Sequence, residues 1–160
     1  MGGWEQSELR AWLSSEVLPS VDPELRTCLV TVIKRTNNTG STTSVDSVTS
    51  TPDRLWVPSV AEVCGTIAWE WGSDPGNTDA YNTVLSSEGT QYACFADMGV
   101  VSTEANQGLA LAGAEGTSSW WLRSSSPSGG QSYRYVDEEG NPSRWASPLD
   151  QRGVCFGFCL

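Results

Sequence analysis

Histidine is absent from these 160 residues. Its absence removes the usual general base, the usual zinc ligand and the imidazole partner of a Ser or Cys nucleophile, so most enzyme readings weaken. Positive charge is scarce too. Nine Lys and Arg stand against nineteen Asp and Glu, a net charge of -10. Such a chain lacks the basic face that phosphate binding needs, which argues against nucleic acid and against docking on anionic lipid. No Lys or Arg lies between Arg54 and Arg123, whereas Glu62, Glu70, Asp74, Asp79, Glu88, Asp97, Glu104 and Glu115 all do. This stretch reads as a solvated acidic face, with a cation site as the sharper alternative. No apolar run approaches membrane-spanning length, and residues 1–20 lack the apolar segment of a signal peptide. Cys-x-x-Cys spacing is missing as well. Cys28, Cys64, Cys94, Cys155 and Cys159 are odd in number and read as free, mostly buried thiols of a protein made in a reducing compartment. No low-complexity linker divides the chain, so one domain over 1–160 is expected. The opening Met-Gly-Gly-Trp reads as a domain boundary with a preceding leader or domain.

Local pattern then predicts the elements. Residues 4–18 read as a helix capped by Ser7, with Leu9, Trp12, Leu13 and Leu18 near helical spacing and Pro19 at its end. Asp22-Pro23-Glu24 opens a second helix, with Leu25, Cys28 and Leu29 as its apolar face. Val30 to Ile33 reads as a strand, residues 36–51 as a long polar hairpin loop or a mobile excursion, and Arg54 to Pro58 as a short strand. Ser59 and Glu62 form a capping box that starts a helix. Residues 69–87 read as irregular; within them Asp74 to Asp79 reads as a turn, or as an oxygen-rich calcium loop. Glu88 to Val101 reads as a short helix packed through Tyr92, Phe95 and Met98, and Leu109 to Gly113 as a weak strand or a loop. Antiparallel strands are expected at 119–124, 132–137, 143–146 and 153–159, with turns at Gly129-Gly130 and Gly140-Asn141-Pro142. Two helices followed by a largely antiparallel sheet give an α+β pattern.

The last forty residues carry the functional signal. Between the apolar Trp120-Trp121-Leu122 and the apolar end lie Ser, Gly, Tyr, Arg, Asn and one Trp. That composition suits a contact surface: Tyr and Trp give rigid area, while Ser, Gly and Asn give adaptable hydrogen bonding. The candidate ligand-binding residues are Ser125, Ser126, Gln131, Tyr133, Arg134, Tyr135, Asn141, Ser143, Arg144, Trp145, Asp150 and Gln151. Adjacent strand residues face opposite ways, so at least one of Trp120 and Trp121 belongs to the core, and Arg123 is expected to make structural hydrogen bonds. No catalytic residue, metal ligand or cofactor is assigned.

Four motifs carry a resemblance. Gly3-Trp4, Ser7-Glu8-Leu9-Arg10-Ala11-Trp12-Leu13, Thr51-Pro52-Asp53-Arg54-Leu55-Trp56-Val57-Pro58-Ser59 and Trp120-Trp121-Leu122-Arg123-Ser124 occur in this order. Together they resemble a bacterial and phage domain family of unassigned function, which also ends in a Gly-Val-Arg-Pro-Ala strand. Here Gly153-Val154-Cys155-Phe156 departs from that ending, with Cys and Phe where Arg and Pro are usual. The resemblance implies a C-type-lectin-like fold, of the kind shared with formylglycine-generating-enzyme-like domains: two N-terminal helices, then a twisted antiparallel sheet with long irregular loops. It further implies likeness to the variable proteins of diversity-generating retroelements, with a ligand-binding region at about 120–160 and residence on a phage tail or bacterial surface, within a larger surface or virion protein. The expected partner is a protein or glycan receptor. The Glu-Pro-Asn, Gln-Pro-Asp and Trp-Asn-Asp elements of calcium-dependent lectins do not occur in the sequence. Two other readings stay open: an oxidase of the formylglycine-generating type, with Cys155 and Cys159 as its copper-binding pair, and a scaffold domain with no ligand of its own.

Overall fold

The computed structural model describes residues 3–39, 42–68, 75–113, 116–126 and 132–160. Its architecture is α+β, with short helices and three small antiparallel sheets. The sequence-predicted turn at Gly129-Gly130, the candidate Gln131 and the acidic Asp74 lie outside the described residues.

The first helix runs as α1 (Glu8–Trp12), a π-helical turn (Leu13–Val17) and α2 (Leu18–Ser20). The Ser7 side chain caps it by accepting from the Arg10 amide. Leu13 is fully buried, whereas Trp12 is exposed. The following α3 (Pro23–Cys28) is capped by Asp22, as predicted. Leu25 and Cys28 are exposed, however, and only Leu29 reaches the core. One carboxylate gathers this N-terminal unit. Asp53 accepts from Trp4 Nε1 (3.0 Å), Arg10 Nε (2.6 Å) and Thr51 Oγ1 (2.6 Å).

The first strand is longer than its apolar residues suggested. β1 (Val32–Asn37) pairs with β2 (Val48–Asp53), and both enter the stretch expected to be loop. Thr36, Asn37, Asn38, Thr51 and Asp53 are buried polar residues, and their hydrogen bonds are made inside the fold. Buried polar groups that are satisfied can sit where apolar ones normally do. Residues 54–58 form no continuous strand; Trp56 makes one antiparallel bridge to Gly157.

The capping box is complete. Ser59 Oγ accepts from the Glu62 amide, Glu62 Oε2 accepts from the Ser59 amide, and α4 (Val60–Cys64) follows. From Pro75 the chain forms α5 (Pro75–Glu88), the longest helix among the described residues, where irregular chain and a turn were expected. Its Asn-, Thr- and Ser-rich sequence favours turns, but Tyr81, Val84, Leu85 and Glu88 recur at helical spacing and all are buried. Tertiary burial overrides local propensity here. Next comes α6 (Ala93–Asp97), shorter than predicted. Phe95 packs against the core while Met98 is exposed.

Two sheets complete the fold. β3 (Leu111–Gly113) pairs with β4 (Gly116–Ser118). The third sheet has the order β5 (Trp120–Ser125), β6 (Tyr133–Val136), β7 (Arg144–Ala146), with a register shift between Trp121 and Ser125. The predicted terminal strand is not formed. Gly153 bridges Trp120 and Gly157 bridges Trp56, so the end of the chain touches two different elements instead of following one. A Cβ at Gly157 would lie 3.1–3.2 Å from the Trp56 indole. Phe156 and Phe158 therefore face outward. The thiols also differ from expectation: all five are free, but Cys28, Cys94 and Cys159 are exposed and only Cys64 is buried.

Two apolar clusters result. One joins α4, α5, β5 and β6 through Val60, Val63, Tyr81, Leu85, Trp120, Leu122 and Val136. The other joins the N-terminal helix to Leu29, Leu55, Trp56 and Val57. No helix among the described residues is long and apolar enough to cross a membrane.

Candidate functional site

The terminal sheet has two faces with different chemistry. Alternation along β6 sends Arg134 and Val136 inward and leaves Tyr133 and Tyr135 half-buried on the other side. Trp120 and Leu122 of β5 are core, while Trp121 lies half-buried opposite Tyr135. On the far side of Tyr135, β7 places Arg144 in register.

Charged and aromatic groups build the outer face. Trp121 and Tyr135 meet edge to face with ring centroids 6.2 Å apart. The Arg152 guanidinium carbon lies 3.5 Å from the Tyr135 centroid and 5.3 Å from that of Trp121, a cation–π arrangement. Arg152 Nη1 donates to Ser119 Oγ (2.8 Å) and Nη2 to Asp150 Oδ2 (3.4 Å). Arg144 Nε donates to Asp137 Oδ2 at 3.0 Å. The other Asp137 oxygen accepts from the amides of Glu139 (3.1 Å) and Asn141 (2.8 Å), so this carboxylate is fixed by the turn. Asn141 Oδ1 in turn accepts from the amide (3.0 Å) and hydroxyl (2.8 Å) of Ser143.

The sequence-predicted residues therefore divide. Tyr133, Tyr135, Asn141, Ser143, Arg144, Trp145, Asp150 and Gln151 are all partly or fully exposed. Ser125, Ser126 and Arg134 are buried, and this corrects their placement on a contact surface. Ser125 Oγ donates to Asn37 O and its own carbonyl accepts from Tyr81 Oη; the Ser126 amide donates to Ser132 O. Arg134 Nη1 donates to Ser143 O (2.7 Å), and its guanidinium lies 5.3 Å from the Tyr81 ring and 5.6 Å from the Trp145 ring. Burial lowers its pKa to about 10, so it remains a cation at neutral pH. Trp145 consequently belongs with Arg134 at the inner edge of the sheet, and not with Tyr133 and Tyr135. Sequence reasoning passed over Arg152 and set Trp121 aside. The signal for Trp121 was present in the alternation that makes Trp120 core; nothing local marked Arg152.

Beneath the sheet lies a buried polar network. Arg123 uses its five donors on five acceptors: Nε on Thr36 Oγ1 (2.9 Å), Nη1 on Val57 O (2.9 Å) and Glu62 Oε2, Nη2 on Arg35 O (3.3 Å) and Glu88 O (3.2 Å). The expected structural role of Arg123 is thus what the geometry provides. Glu62 Oε1 accepts from Lys34 Nζ (2.9 Å), which also donates to Tyr92 Oη (2.7 Å) and lies 4.0 Å from the Trp56 ring centroid. Burial raises the Glu62 pKa, but hydrogen bonds and charge from Arg123 and Lys34 outweigh it and hold the carboxyl below the usual range. Glu88 is different. Its oxygens accept from the Asn37 amide (2.9 Å) and from Ser124 Oγ, yet burial dominates and raises its pKa despite Arg123. The same Ser124 Oγ accepts from the Val60 amide. This network contains a Ser and two carboxylates, but each is bonded inside a packed frame. Burial likewise pushes the Cys64 thiol up to about 12, too high for a thiolate at neutral pH. Among the described residues, no group of three or more Cys, Asp or Glu side chains is placed to hold a metal ion.

With this geometry in hand, comparison with known families is informative. The family described as a domain of unknown function (DUF6273) matches residues 1–160. The chain belongs to this family. Neither a curated protein nor a solved structure matches it.

Proposed function

We propose that this member of the family is a non-enzymatic ligand-binding domain that recognises a protein or glycan receptor through the outer face of β5–β6–β7. The observation that carries the reading is the Trp121–Tyr135–Arg152 cluster, flanked by Tyr133 and Arg144. It lies on the face of the sheet opposite the buried Arg134 and Val136. Tyr, Trp and Arg are the residue types enriched at binding hot spots. A rigid sheet supports them, so little order has to be gained on binding.

The finer reading is that the fold is C-type-lectin-like and that the domain is a variable protein of a diversity-generating retroelement, carried on a phage tail or cell surface. Its support is the separation of buried frame from exposed strip within one short stretch. Sequencing the 3′ end of this gene across one host population tests it. Substitutions should gather at the outward residues Tyr133, Tyr135, Ser143, Arg144, Asp150 and Gln151, while Arg123, Ser125 and Arg134 stay constant. A uniform sequence, or equal variation at the buried positions, would remove the retroelement reading. The binding reading has its own test. Protein and glycan arrays are probed with the wild-type domain and with Trp121→Ala/Tyr135→Ala. Loss of captured signal by at least about tenfold, with the circular dichroism unchanged, is expected, since such anchors carry about 2 kcal/mol or more. Identical array profiles for the two proteins would sink it.

A further inference from the structure

We propose that Cys28 and Cys159 are a redox pair, which a small-molecule disulfide such as oxidised glutathione converts into an intramolecular disulfide that staples the end of the chain to α3. Neither residue belongs to β5, β6 or β7, so the pair is independent of the outer-face binding reading.

The path of the chain end brings the two thiols to one junction. Gly157 and Trp56 exchange backbone hydrogen bonds of 2.8 and 3.2 Å in an antiparallel bridge. Antiparallel pairing carries Cys159, two residues on, alongside Arg54. There the Cys159 carbonyl accepts from the Val30 amide at 3.0 Å. The Arg54 side chain in turn donates to the Arg26 carbonyl, in the last turn of α3. The final residues therefore lie between segment 54–56 and the C-terminal end of α3, and Cys28 is the last residue of that helix. Leu29 is extended and buried, so its neighbours Cys28 and Val30 are both left exposed. Cys28 and Val30 are two residues apart, at most about 7 Å, and Val30 is the residue bonded to Cys159. A disulfide joins α-carbons about 4.4–6.8 Å apart. Residues 158–160 are in neither helix nor strand, so the chain end supplies the adjustment that this geometry asks for. The other thiols fit less well. Cys64 is buried, Cys155 packs against the core, and Cys94 belongs to α6, whose Phe95 packs on that same cluster. A staple at this place has something to hold. Phe158, Cys159 and Leu160 are exposed, so burial retains the chain end only weakly. The bond would also close nearly the whole chain into one loop, the case in which a cross-link constrains the unfolded state most.

The chemistry is thiol–disulfide exchange. One cysteine thiolate attacks a sulfur of glutathione disulfide and expels a glutathione thiolate. The second cysteine thiolate then attacks the cysteine sulfur of that mixed disulfide and expels the other glutathione. Two protein thiols are oxidised to one disulfide, and one glutathione disulfide is reduced to two glutathione thiols. The experiment incubates the intact domain with glutathione disulfide, alkylates the remaining thiols in urea and maps tryptic peptides without reduction by tandem mass spectrometry. Peptide Thr27–Lys34 should be joined to Gly153–Leu160, with the bond at Cys159 and with Cys155 alkylated. Cys28→Ser and Cys159→Ser should each abolish the link, while Cys94→Ser should keep it. Oxidation should also slow hydrogen exchange at the Val30 amide at least about fivefold, since that amide is freed only when the chain end lifts. A reductant should restore the original rate. Glutathione adducts on both cysteines without a link, a link through Cys155, or a link between two molecules overturns the proposal. A correct link that leaves Val30 exchange unchanged overturns the staple, because the chain end would then be held as firmly without it.

Discussion

At the scale of single residues, Arg123 is the side chain that ties the most distant parts of the frame together among the described residues. Its guanidinium is fully buried and meets three backbone carbonyls, one hydroxyl and one carboxylate, contributed by β1, the loop before α4, α4 itself and α5. A sequence search reads it as one basic residue after Trp-Trp-Leu. Its five partners are distant in the chain, between 35 and 88 residues away. Removing Arg123 leaves the buried Glu62 with Lys34 alone and takes a donor from three carbonyls. We therefore expect Arg123→Met to cost about 3–5 kcal/mol in urea unfolding. Arg123→Lys keeps the charge but brings three donors to five acceptors, and should recover only part of that loss. A loss below about 1 kcal/mol for Arg123→Met would mean that the network does not organise the fold.

At the scale of elements, what could be read from sequence and what could not have separate physical causes. Caps were legible because Ser7, Asp22 and the Ser59–Glu62 box act within three residues of themselves. β5, β6 and β7 were legible through alternation and the turn before Ser143. The helix α5 was not, since only burial of Tyr81, Val84 and Leu85 by distant strands selects it over a turn. The polar ends of β1 and β2 were hidden for the same reason: Asn37 pairs with Glu88, which is 51 residues away. Within the site, Tyr133 and Tyr135 followed from period two, whereas Arg152 reaches Tyr135 from an irregular segment with no period at all. The turn joining β6 to β7 also yields a prediction. Gly140 has φ +85°, and a Cβ there would lie 2.0 Å from the Asn106 carbonyl oxygen. Gly65 has φ +75° with nothing near its Cβ position. Gly65 also has ψ -79°, a γ-turn conformation, so Gly65→Ala should cost only that backbone strain, about 1–3 kcal/mol. Gly140→Ala should cost visibly more, because the backbone of residue 106 must move as well. Urea midpoints compare the two, and equal losses would show that the turn is not held against that carbonyl.

At the scale of the whole molecule, the motifs that carry the family resemblance turn out to be the frame. Trp4, Arg10 and Asp53 form one buried contact, and Arg123 and Ser124 join Glu62 and Glu88 in another. The two carboxylates of that second cluster respond oppositely to pH, and the overall stability profile should reveal it. Glu62 has a folded-state pKa below its ordinary 4.5. Between the lowered value and 4.5 the unfolded chain binds more protons, so stability rises with pH there and is lost as pH falls through the folded value. Glu88 has a folded-state pKa above 4.5. Between 4.5 and the raised value the native state keeps a proton that the unfolded chain has released, so stability falls as pH rises through that window. Together they predict a maximum in mildly acidic solution, with a decline on each side. Glu88→Gln removes the titration responsible for the upper decline and should flatten the profile on the side above pH 4.5, measured in about 0.1 M salt to suppress surface charge. Glu62→Gln should instead lower stability wherever Glu62 is ionised in the fold, because Arg123 and Lys34 lose their counter-charge there, and the loss should vanish as pH falls through the lowered Glu62 pKa. If the wild type and Glu88→Gln proteins show parallel thermal midpoints from pH 5 to 8, then Glu88 is ionised in the fold and its burial is compensated by the Arg123 charge.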